Sequence, residues 1–184
     1  MRALPSAYWE VVAIGAVLAL ARFSEAFLIL RAQNLGLRVA FAPLVLVLMN
    51  IVYALGAYPA GQLSDRVDKR WLLAAGLLLL IFSDLALANA HGLAGAALGI
   101  VFWGLHMAIT QGLLATLVAE HAPAEIRGTA FGVFNLLSGI AMLGASVLAG
   151  GLWDTYGPAT TFIASAALTA GAVLGLLVLG RQSR

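Results

Sequence analysis

The stretch "WLLAAGLLLLIF", residues 71–82, runs for roughly three helical turns without a charged residue. Several such runs recur along the chain, and they restrict its fold more than any other feature. A bilayer core of roughly 30 Å needs about 20 consecutive apolar residues as helix. Within lipid the backbone must satisfy its own hydrogen bonds, which leaves helices and closed barrels. Barrel strands alternate apolar and polar positions, and these runs do not alternate. The chain reads as an all-α membrane protein whose surroundings are a lipid bilayer. Composition agrees, at 62% hydrophobic and 10% charged, where soluble domains average about 45–50% and 25%.

The runs and their breaks predict six transmembrane helices, at 8–30, 42–62, 71–90, 92–119, 128–152 and 159–179. Asn34-Leu35-Gly36 with Pro43, the charged run 65–70, Asn89 to Gly92, Pro123 and Tyr156-Gly157-Pro158 supply the breaks. Six spans put both ends of the chain on one side. Arg2, Arg66, Lys69, Arg70, Arg127, Arg181 and Arg184 fall on that side, and only Arg31 and Arg38 on the other. The positive-inside rule therefore predicts cytoplasmic termini in the inner or plasma membrane. The formal charge of +2 is then a matter of topology, and no nucleic-acid partner is implied. The first apolar run ends without a small-residue cleavage pattern, so the first helix is expected to direct insertion itself. With no cysteine in the chain, disulfides and thiolate metal sites are excluded, and no other metal site is expected.

Charge is concentrated in "AGQLSDRVDKR", residues 60–70. Its first six residues have an echo in "AGGLWD", residues 149–154, and both follow A-G-x-L-x-D. Each copy closes the middle helix of a three-helix set, one spanning 1–90 and the other 91–184. An odd number of helices separates the copies, so they face opposite sides of the membrane. That is an inverted-topology repeat, a common signature of secondary transporters.

The segment from Gly61 to Arg70 resembles the loop motif G-x-L-[SA]-D-R-x-G-[RK]-[RK] of the major facilitator superfamily. That loop joins the second and third helices of a six-helix half. Gly61, Leu63, Ser64, Asp65, Arg66, Lys69 and Arg70 match, and Asp68 stands where the family has glycine. The stretch "AEHAPAEIRGTAFGVFN", residues 119–135, is similar to the family's join between the fourth and fifth helices. With "AGGLWDTYGP" after it, the pattern looks most like the C-terminal half. A full member has twelve helices, so the resemblance implies half of that fold. It also implies roles. Asp65 would sit against a helix start of the other half and latch the cytoplasmic side. Arg66 would pair with Glu120, with Arg127 nearby, and Lys69 and Arg70 would complete the gating motif. Solvated loop charges that merely set topology are the plainer reading of the same residues.

Polar residues inside the spans supply candidates for solute or proton binding. Arg22 and Glu25 each cost roughly 2.5–3.5 kcal/mol at mid-bilayer when unpaired. They either line an aqueous cavity, with Glu25 linked to a proton and Arg22 to the solute, or form a buried structural ion pair. Trp103, His106 and Thr110 share one helix face, where His106 could relay protons or simply bond a neighbouring helix. Asn50, Tyr53, Asn135 and Ser138 could bind solute or join helices. Asp84 and His91 read as interfacial. Gly95/Gly99, Gly128/Gly132 and Gly171/Gly175 form G-x-x-x-G pairs expected to let helices approach closely.

The favoured expectation is a secondary transporter, or half of one, moving a small organic solute by gradient-coupled alternating access. The alternative is a truncated or non-transporting half. Either would need a second six-helix bundle, as a missing half or a homodimer copy, and "MRALPSAYWE" reads like the end of a linker between halves. No Gly-rich nucleotide loop implies a cofactor. An intramembrane enzyme is disfavoured because Ser138 has no evident base in the last helix and no H-E-x-x-H occurs.

Overall fold

The computed structural model describes the backbone of residues 4–182 and the side chains of residues 4–176. Of the topology-setting cations, Arg2 and Arg184 lie outside the described residues, as does the side chain of Arg181. Every regular element among the described residues is helical: α1 (Ser6–Ala21), α2 (Ala26–Asn34), α3 (Ala42–Ser64), α4 (Lys69–Ala88), α5 (Leu93–His121), α6 (Arg127–Tyr156) and α7 (Pro158–Gln182). They form six spans long and apolar enough to cross a membrane, with α1 and α2 sharing the first.

Local chemistry sets the ends. Pro43 lies in the first turn of α3, where its missing N–H has no helical partner to lose. Gly157 separates α6 from α7 with a φ of 85°, a left-handed conformation that favours glycine, and Pro158 then starts the next helix. Asp68 is the N-cap of α4, its carboxylate accepting the Arg70 N–H at 2.8 Å. The aspartate in the family's glycine position thus starts a helix through its side chain, as N-cap aspartates commonly do.

The first span departs from the continuous helix expected over 8–30. It breaks between Ala21 and Ala26, where Arg22 is extended at φ −118°, ψ 113°. A break at membrane depth is tolerated when neighbours satisfy the freed backbone. Here they do. The Ser24 N–H donates to Ser146 Oγ of α6 at 3.1 Å. The Ala21 carbonyl accepts from Ser165 Oγ of α7 at 2.9 Å. Phe23, in the break, is buried among Phe27, Phe162 and Trp103, with ring centroids at 4.8, 5.4 and 5.8 Å.

Helix α5 packs along α4 and α3, α4 along α7, and α1 along α6. A Cβ at Gly104 would lie 2.7 Å from the Met49 carbonyl, so α3 and α5 cross almost backbone to backbone. Burial is uneven. About half of the α4 and α5 spans is buried, 56% and 50%, against 11% for the spans holding α3 and α6. The glycine pairs divide in the same way. Gly95 and Gly99 face Ala90, Leu87 and Ser83, while Gly128, Gly132, Gly171 and Gly175 meet nothing within 4 Å of an added Cβ.

Candidate functional site

The break in the first span lies at one end of a cavity of about 370 Å³ between α1, α5 and α6. Gly15 and Arg22 contribute from the first span, His106, Thr110 and Gln111 from α5, and Phe134, Asn135 and Ser138 from α6. At Gly15 an added Cβ would overlap the outer edge of the Phe134 ring, which would have to shift to admit it.

Arg22 and Glu25 approach to 3.6 Å, with side chains 18% and 27% exposed. They meet across unwound backbone instead of along one helical face. Arg22 lines the cavity and Glu25 does not. His106 also lines it, but its Nδ1 lies 2.8 Å from the Gly76 carbonyl. A carbonyl only accepts, so Nδ1 carries the hydrogen and ties α5 to α4. Thr110 donates to the His106 carbonyl at 2.9 Å. Trp103 is fully buried in the aromatic cluster, away from the cavity, and its Nε1 has no partner among the described residues. Asn135 is exposed into the cavity. Beside it, Ser138 Oγ is a buried hydroxyl without a partner among the described residues. Asn50, by contrast, is on the exposed face of α3 and bonds the Leu46 carbonyl of its own helix at 2.8 Å. Tyr53 is half-buried against the main apolar core.

At the end of α3, Gly61, Asp65 and Arg66 are exposed, and Asp65 caps the helix. The Glu120 carboxylate is held by Lys69 Nζ, not by the Arg66 side chain the family pattern implies. The N-cap explains the exchange, because Asp68 starts α4 so that Lys69 sits in its first turn. Arg127 is exposed at the start of α6, and Arg70 is exposed in the first turn of α4.

Three side chains matter more than the sequence indicated. Arg31, read as a loop cation, is buried. It donates to the Leu87, Ala88 and Ala90 carbonyls at 2.9, 3.3 and 2.8 Å, and to Asn34 Oδ1 at 2.8 Å. Asp84, read as interfacial, is completely buried, with Ser165 Oγ 2.7 Å from its Oδ2. Ser165 has no local signature, because a lone serine in an apolar run carries no signal. A carboxylate well inside a predicted span was the signal available for Asp84. Among the described residues no cluster of His, Asp or Glu could hold a metal ion.

The family model described as Major Facilitator Superfamily matches residues 11–184. The chain belongs to the major facilitator superfamily. It is an integral membrane protein of that superfamily, with six spans among the described residues long and apolar enough to cross a membrane. It is 32% identical over 184 residues to an uncharacterized MFS-type transporter of Methanocaldococcus jannaschii, covering 96% of this chain and 45% of that protein. It is 31% identical over 107 residues to "Putative glycerol-3-phosphate transporter 5" of Arabidopsis thaliana, covering 55% of this chain and 22% of that protein. The major facilitator chain thus spans less than half the length of either relative.

Proposed function

We propose that this chain supplies one six-helix half of a secondary transporter that moves a small organic solute by alternating access. The observation that carries the reading is Arg22, placed by unwound backbone at the edge of a mainly apolar cavity that also holds Asn135 and Ser138. A guanidinium there suits a solute with an anionic group, and Asn135 and Ser138 offer hydrogen bonds beside it. The naming of one relative for glycerol-3-phosphate transport accords with an anionic organic solute. Coupling of the movement to an ion or proton gradient, without enzymatic chemistry, accords with this reading.

The second bundle packs against α3 and α6. These are the least buried spans, and Gly128 and Gly132 leave the start of α6 open to close approach. In that assembly Asp65 faces a helix start of the other bundle, whose N–H groups carry roughly half a positive charge. Helix pairing supports two inverted repeats, 1–90 and 91–184. Exchanging the repeats converts the α1–α6 contact into the α5–α3 contact, and both are extensive. The distribution of positive loop charge supports cytoplasmic termini in the inner or plasma membrane.

Uptake of radiolabelled glycerol-3-phosphate into proteoliposomes holding the intact protein tests the reading. Arg22→Gln should reduce uptake at least tenfold without lowering the amount reconstituted. Uptake equal to empty liposomes with that compound and with a panel of organic anions would reject it.

A further inference from the structure

We propose that Asp84 is a proton-binding site that closes the break in the first span. Ser165 has one hydroxyl hydrogen, yet its Oγ lies 2.9 Å from the Ala21 carbonyl and 2.7 Å from Asp84 Oδ2. The carbonyl only accepts. If Ser165 donates to it, the second contact is a hydrogen bond only when Asp84 carries the hydrogen on Oδ2. The opposite assignment leaves an ionised carboxylate with one oxygen unpartnered, and the Ala21 carbonyl orphaned as well. No backbone N–H reaches that carbonyl among the described residues. An isolated buried carboxylate ion is far more costly than a neutral acid, so the carboxylic acid is the form this geometry holds.

The surrounding charges do not change that accounting. Arg22 and Glu25, just beyond Ala21, pair with each other. The Arg31 guanidinium is taken up by three carbonyls and Asn34. His106 on α5 bonds the Gly76 carbonyl, and α7 brings no ionisable residue between Pro158 and Leu176. Asp84 Oδ1 is buried without a partner among the described residues, which marks a group held for something other than a saturated structural bond.

The proton therefore links α4, α7 and the end of α1. Its loss turns the Ser165 hydroxyl toward Asp84, releases Ala21 and frees the break where Arg22 enters the cavity. Coupling of that release to solute movement rests on the transporter reading; the presence of the proton does not.

Infrared difference spectroscopy on the intact protein in nanodiscs reads the proton directly. A carbonyl stretch of a neutral carboxyl should be present, shift in deuterium oxide, and vanish in Asp84→Asn, whose amide can donate as the acid does. Ser165→Ala should shift that band without removing it, which keeps the test open should the first variant fail to accumulate. Identical spectra for wild type and Asp84→Asn, or an unmoved band in Ser165→Ala, would overturn the proposal. A band that disappears when sodium chloride replaces potassium chloride would also overturn it, assigning the site to sodium. Release is read by Ala19→Cys, a cavity position, with a water-soluble maleimide in a chain that has no other cysteine. The labelling rate with Asp84 intact, divided by the rate with Asp84→Asn added, cancels the thiol's own ionisation. That ratio should rise about tenfold per pH unit until Asp84 has lost its proton, and a constant ratio would count against the release. Absent glycerol-3-phosphate uptake leaves every one of these readouts intact.

Discussion

At the scale of single residues, burial separates charges that matter from charges that do not. Arg31→Ala strips the donor from the buried Ala88 and Ala90 carbonyls, each worth roughly 1–3 kcal/mol when unpartnered, while the Leu87 carbonyl keeps the Ala90 N–H at 3.4 Å. Denaturant unfolding in detergent should show a loss of about 3 kcal/mol or more, and Arg31→Lys should recover only part, since an ammonium lacks the planar fork. Lys69→Ala removes an ion pair whose side chains are 33% and 48% exposed. Such pairs contribute about 0–1 kcal/mol, so the same measurement should move little, and less at high salt. Sequence could not rank these two. Arg31 and Lys69 both look like basic residues at the end of an apolar run, and only the fold shows which one turns inward. Asp84 was legible as an anomaly, but its partner Ser165 is 81 residues away, beyond any local pattern.

Among elements, the helices were legible because lipid demands long apolar runs, and five predicted spans match helices with ends within a few residues. The break in the first was not, since extended backbone at Arg22 depends on serines from α6 and α7. The glycines show the same limit, as identical spacing produced one packed pair and two open ones. Gly104→Ala places a methyl against the Met49 carbonyl, which is backbone and yields poorly. Overpacking of this kind costs about 1–3 kcal/mol, visible as a lowered unfolding midpoint. Gly132→Ala meets no neighbour and should leave that midpoint unchanged or slightly raised, alanine being the better helix former.

For the whole molecule, α3 and α6 are exposed as though awaiting a partner. On the proposal that a second bundle packs against α6, Gly132→Leu should leave the bundle's unfolding midpoint within error while abolishing uptake, because its bulk would fall in that contact. Asp65→Asn should likewise abolish uptake with normal membrane levels, measured by blotting; wild-type uptake would remove the latch. The break has a consequence for biosynthesis. Ser24 finds its acceptor 122 residues downstream and Ala21 finds its donor 144 residues downstream. While the ribosome is still making those serines, the nascent first span has neither partner. It must enter the bilayer as an unbroken helix, or wait hydrated at the translocon, and complete its break only once both α6 and α7 have arrived.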